Sequence, residues 1–162
     1  RRHVPGFENC RLAAVAPSVG LRESRRLTGA YTLTREDVLA GRKFADGIAR
    51  HNYYLDVHSA DGLKPEPGIV IAQRPPEGDY YEVPYRCLLP ERIEQLLVAG
   101  RCLSADRAAL GSARTTVCCM AMGEAAGLAA SRAVRLGQSP RGIDGAALKR
   151  DLLGADTAPG KP

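Results

Sequence analysis

Hydrophobic and polar positions along the chain change their grammar near residue 90. Residues 1–20 hold no sustained period and are broken by Pro5, Gly6, Pro17 and Gly20, which predicts irregular chain. Residues 21–29 read as a strand ended by Thr28 and Gly29, and residues 31–33 as a short second strand. Thr34 has the chemistry of an N-cap, with Asp37 three residues on in the capping-box position. A helix through Val38 and Leu39 is therefore expected, closing near Gly41, with one or two further helical turns over residues 44–50. Residues 53–58 alternate loosely and are rich in strand formers, so they predict a strand. Residues 59–68 predict a loop and residues 75–78 a turn. Residues 80–88 predict a strand that Pro84 confines to an edge or a bend.

Beyond that point the pattern is different. Residues 95–100 form a short apolar run closed by Gly100, as a buried parallel strand does. Residues 101–114 read as a polar loop. Residues 115–136 predict a long helix of small side chains, whose only charge up to Ala130 is Glu124. Gly123 and Gly127 lie on one face of it, where another backbone can approach closely. Gly137 is placed as its C-cap, after Arg132 and Arg135. Residues 144–153 predict a closing helix, and the tail over 155–162 is expected to be disordered. The fold class implied is α/β overall, of the α+β kind: an antiparallel first part over residues 1–90 and a strand–loop–helix part over 91–154.

Composition narrows this only a little. At 162 residues, 44% hydrophobic and 25% charged, the chain is an ordinary globular domain able to bury a core. No uninterrupted apolar run of about 18 residues predicts a membrane-spanning helix. The start is followed by no apolar signal core. Its first residue is Arg1 rather than Met, as expected of a piece of a longer protein. The net charge of +5 comes from scattered arginines that often neighbour acids, and aromatics are only 5%, which argues against nucleic acid. Five cysteines without a CxxC pair exclude a paired disulfide framework and suit a reducing, cytoplasmic setting. Neither these cysteines nor the three histidines have metal-ligand spacing.

Chemistry is expected first where the apolar run meets the long helix. A strand ending in Gly, then a loop, then a helix N-terminus presents free amides and a positive dipole end to an anion or a polar cofactor edge. The plainer alternative is a packing unit, with Gly123 and Gly127 serving close contact alone. His58, at the end of an expected strand, is a candidate proton donor or acceptor, or a structural residue. Arg22 and Arg26 share a face of the expected first strand and can hold a carboxylate, or be exposed strand residues. The vicinal Cys118 and Cys119 read as buried small hydrophobes rather than a redox pair.

Particular residues add a resemblance. Leu96 through Ala105, then Gly111-Ser112-Ala113-Arg114, then Cys119 through Gly127 are similar to the C-terminal segment of a family of FAD-dependent oxidoreductases. That family is distantly similar to the flavoprotein subunits of fumarate reductase and succinate dehydrogenase. Residues 22–29, 31–34, 37–38, 56–58 and 83–88 resemble it too, so the likeness covers roughly residues 20–137. It implies that residues 1–90 belong to a substrate- or cap-domain-like part and residues 91–154 to a C-terminal flavin-binding segment of a Rossmann-like core. It also implies that Gly100 allows close backbone approach to FAD and that Arg101 lies beside the ribityl and pyrophosphate portion. Ser112, Ala113 and Arg114 are then placed at the helix entrance, facing the pyrimidine edge of the flavin. Arg86, between Tyr85 and Cys87, is a further candidate to approach the flavin, or a residue with no part in the site. Glu124 stands where the family carries Gln, and a carboxylate there opposes the anionic reduced flavin unless it is paired.

No GxGxxG lies within the 162 residues. The chain is therefore expected to be the C-terminal part of an enzyme whose FAD-binding N-terminal portion lies elsewhere. The expected function is hydride transfer through flavin N5 to or from a small organic substrate. The alternatives are a non-enzymatic remnant or interaction module that binds no FAD alone, and an anion-binding regulatory module. Self-association through uncovered apolar faces is expected as well.

Overall fold

In a computed structural model that describes residues 3–58 and 73–154, the described elements run in the order α1 (Arg35–Leu39), β1 (Gly47–His51), β2 (Tyr81–Pro84), α2 (Arg107–Ala113), α3 (Thr116–Leu136) and α4 (Gly145–Leu153). The fold is α+β: helices surround a two-stranded antiparallel sheet. The loop expected over 59–68 and the tail expected over 155–162 lie outside the described residues.

Local chemistry explains the elements that the sequence announces. Thr34 and Asp37 form the expected capping box: the Thr34 hydroxyl accepts from Asp37 N at 3.2 Å, and the Asp37 carboxylate accepts from Thr34 N at 3.0 Å. Asp106 and Asp144 cap α2 and α4 through their carboxylates. Gly137 ends α3 in the left-handed conformation, with φ 61°.

Five expectations are corrected. Residues 44–50 are not helical. Residues 47–51 pair instead with 81–84, in the register Ala49↔Val83, Arg50↔Glu82 and His51↔Tyr81, with a bulge at Ile48. Long-range pairing and the burial of Ile48 and Ala49 override a weak local preference. Residues 21–29 are not a strand. Their chain is held by single bonds, Leu27 N to Cys102 O and Ala30 N to Leu89 O, both 2.9 Å. Residues 53–58 also run without strand pairing, and 85–88 leave the sheet as a 3₁₀ turn once Pro84 removes a ladder donor. Residues 95–100 make no strand either: Gln95 takes φ 56°, Leu96 is exposed, and among the described residues no strand lies beside them.

The core joins the sheet to all four described α-helices. Leu33, Val38, Ile48, Leu55, Tyr81 and Leu110 are buried within it. α3 contributes Cys118, Met122, Ala125, Ala129 and Ala133, a helical stripe that meets β1 and α4. Lys149 on α4 donates to Glu82 Oε2 at 2.9 Å and to Phe44 O at 2.8 Å, a buried ion pair that ties the last helix to the sheet. The opposite side of α3 is uncovered: Val117, Met120 and Val134 are exposed, and a Cβ at Gly123 or Gly127 would meet nothing within 4 Å. By length and mean hydropathy alone α3 suffices to cross a membrane, a test that the core helix of a soluble protein also passes. Glu124 is exposed midway along it.

Candidate functional site

α2 and α3 follow one another with only Arg114 and Thr115 between them, so the chain turns sharply and opens a cleft of about 450 Å³ at the N-terminus of α3. Gly111 makes this turn close. A Cβ there would lie 2.8 Å from the Asp56 carbonyl oxygen, so only glycine lets α2 rest on residues 56–57. Arg22, Arg101 and Arg114 line the cleft with Tyr53 and Asp56, and Thr115, Thr116 and Cys119 form its floor. A larger groove of about 590 Å³ lies at the other end of α3, against Leu136, Ile143 and Ala147. It carries none of the expected site residues.

Among the described residues, arginines dominate the charged lining of the cleft. Arg114 is buried and pairs with the Glu23 carboxylate and with Asp56 Oδ2 at 3.0 Å, while also donating to Asp56 O at 2.8 Å. Arg107 lies 3.6 Å from Glu23 and donates to His58 O at 2.6 Å. Arg101 donates to Leu21 O at 2.8 Å. Among the described residues, three guanidiniums, of Arg22, Arg101 and Arg114, line the cleft with the Asp56 carboxylate, and Glu23 pairs with Arg114 behind them. Tyr53 stacks on Tyr54 with ring centroids 4.3 Å apart, and the Tyr54 bond raises its hydroxyl above the ordinary phenol value. Burial raises the Cys119 thiol, with Arg101 opposing, so the thiol is protonated near neutrality. Burial pushes Cys118 up to about 12.

At the floor, α3 begins without a side-chain cap. Its first internal bond runs from Cys119 N to Thr115 O, so the amides of residues 116–118 have no intrahelical acceptor. The Thr115 hydroxyl lies 3.0 Å from His51 Nε2. His51 ends β1, is half-buried, and meets the rings of Tyr53 and Tyr81. Burial lowers its pKa below the ordinary value, against the raising effect of the Ser112 backbone.

The sequence-predicted residues separate accordingly. Arg22, Arg101 and Arg114 come together in the cleft. Gly100 takes φ 86° in the turn that delivers Arg101, and its backbone lies beside Cys119. The expected helix entrance at 112–114 is corrected. Ser112 and Ala113 are the fully buried last turn of α2, and Arg114 N is bonded to Leu110 O, so these amides are committed and the open ones lie at 116–118. Ser112 Oγ instead bonds Tyr53 O at 2.7 Å and Tyr81 OH at 2.8 Å. The Arg114 charge is shared by two carboxylates rather than presented whole. Arg26 is exposed and, with no strand there, shares no face with Arg22. His58 is exposed beside the cleft, 3.1 Å from Asp56 Oδ1. Arg86 is bound to Asp46 at 2.9 Å, over the Tyr31 ring, and lines a separate groove. Glu124 lies two turns along α3 from the cleft.

Sequence reasoning missed His51, Tyr53, Glu23, Thr115 and Thr116 as site residues. Only the two threonines carried a local signal, an N-cap residue type directly before a long apolar helix. Compared with known proteins, residues 1–152 match a family model described as FAD dependent oxidoreductase. No curated protein and no solved structure matches the chain.

Proposed function

The chain belongs to the FAD-dependent oxidoreductase family, whose cofactor is FAD, and from that premise we propose that the cleft at the start of α3 receives the polar, electron-rich edge of the flavin. The open amides of residues 116–118 are the observation that carries this reading. They fit the group: uncapped amides at a helix N-terminus hold partial negative charge, and the guanidiniums of Arg22 and Arg101 in the same lining add to it. When bound, the flavin supplies two-electron chemistry at N5, here hydride exchange with a small organic substrate. The chain's own groups do the holding. Residues 116–118 donate hydrogen bonds that favour the more negative, reduced form and so raise its potential. Arg101 and Arg22 attract an anionic group at the mouth, and Tyr53 offers an aromatic wall. Arg114 keeps the segments at Glu23 and Asp56 in place behind them.

The ADP side of the cofactor is assigned to a dinucleotide-binding portion outside residues 1–162, since no GxGxxG lies within them. The uncovered side of α3, with Val117, Met120 and Val134 exposed, supports a neighbouring portion seated against it.

Thr116→Pro tests the placement. Proline is tolerated at the first helical position, and Thr115 already has the extended backbone, φ −65° and ψ 151°, that a residue before proline requires. The substitution removes one N–H donor while leaving the helix. In the FAD-bound protein the dissociation constant should rise several-fold, as for loss of about 1 kcal/mol, and the reduction potential should fall. Unchanged affinity and potential would place the cofactor elsewhere.

A further inference from the structure

His51 has no part in the family resemblance, yet it holds the hydroxyl of the residue that precedes α3. The three other α-helices are capped by their own N-cap side chains: Thr34 accepts from Asp37 N, Asp106 from Ala109 N and Asp144 from Ala146 N. α3, the longest at 21 residues, starts on Thr115, which has cap-competent backbone angles and a cap-competent hydroxyl, and makes no such bond. That hydroxyl is directed to His51 Nε2 at 3.0 Å instead.

The imidazole is fixed from several sides. His51 is paired in β1 opposite Tyr81, whose ring meets it at 5.9 Å, and Tyr53 stacks on it at 6.1 Å. The Thr115 hydroxyl is thereby engaged by His51 Nε2 whichever of the two donates, and its oxygen makes no bond to Val117 N or Cys118 N, the amides it would otherwise cap.

We infer that His51 is a positioning residue for the cofactor: by diverting the Thr115 hydroxyl it keeps the first-turn amides of α3 open for FAD, on the footing that the cofactor sits at this helix end as proposed above. Without His51 the threonine rotates back onto its own helix, and FAD must compete with an internal cap. The expected penalty is that of a cap bond, about five- to thirty-fold in affinity.

Two readouts test this in the protein that carries the chain. The first is amide hydrogen exchange at Val117 and Cys118 in the cofactor-free protein, which needs no flavin. His51→Leu should slow exchange there about five- to thirty-fold, and Thr115→Ala combined with His51→Leu should abolish the slowing. The second is FAD affinity, read by flavin fluorescence. His51→Leu should weaken it by a similar factor, the double variant should regain most of it, and His51→Gln, which can still accept from the hydroxyl, should bind as the wild type does. If His51→Leu leaves exchange unchanged, or weakens FAD equally with and without the Thr115 hydroxyl, His51 merely packs and the inference is wrong. If exchange responds as expected while FAD affinity does not, the diversion of Thr115 stands and the cofactor placement at α3 falls.

Discussion

Asp37 shows how much a single short motif settles. Its side chain is 3% exposed, and its carboxylate takes bonds from Thr34 N, from Tyr31 OH at 2.8 Å and from Arg42 at 2.8 Å. Burial pushes its pKa up, but the bonds from Arg42, Thr34 and Tyr31 together outweigh that and hold it below the ordinary value of 3.8. A depressed folded value means that the carboxylate stabilises the fold above the unfolded pKa, and that this is lost as pH falls through the folded one. Asp37→Asn should therefore cost about 2 kcal/mol near neutrality. Denaturant titrations should show the gap to wild type narrowing below pH 4. A gap that stays constant down to pH 2 would mean that the charge contributes nothing. His51 is the contrasting residue, because nothing in its sequence neighbourhood points to Thr115, 64 positions away.

At the scale of elements, the α2–α3 junction decides the site. Residues 101–114 read as loop because they are polar and contain small side chains, whereas 107–113 are helical under the Asp106 cap. The cap residue was present in the sequence, but the short helix gains its stability from burying Ala108, Ala109, Leu110 and Ala113. Gly111 is the point where this helix touches residues 56–57. Gly111→Ala should force the Asp56 backbone outward at a cost of about 1–3 kcal/mol. Circular dichroism should show helix content retained, while melting falls by several degrees and FAD binding weakens as the cleft wall moves. Melting within a degree of wild type would show that the two segments separate freely.

For the whole molecule, Arg114 links three segments that are distant in sequence, through Glu23 and Asp56. Its side chain is 7% exposed and both carboxylates are partly solvated, so Arg114→Ala removes the cation that the two carboxylates share in a semi-buried place. We expect a loss of about 2 kcal/mol, below the cost of breaking a fully buried pair. Proteolysis should become faster in residues 3–27, which carry no helix or strand of their own. Arg114→Lys should recover little, since one ammonium cannot span both partners. Unaltered melting and proteolysis in Arg114→Ala would reduce Arg114 to a surface residue.

Sequence alone determined what is encoded within a few residues. The Thr34–Asp37 box, the long α3 with its Gly137 terminus, and α4 after Asp144 are all local agreements of cap, period and stop signal. The family blocks around Gly100, Arg114 and Gly123 were legible in the same way, because they are contiguous strings. Tertiary structure alone decided which stretches became strands. Pairing 47–51 with 81–84 rewards burial of residues thirty or more positions apart, which no local propensity registers. It also decided which amides stay open. A helix end is free or capped according to where one hydroxyl turns, and here that is set by an imidazole brought in on another element.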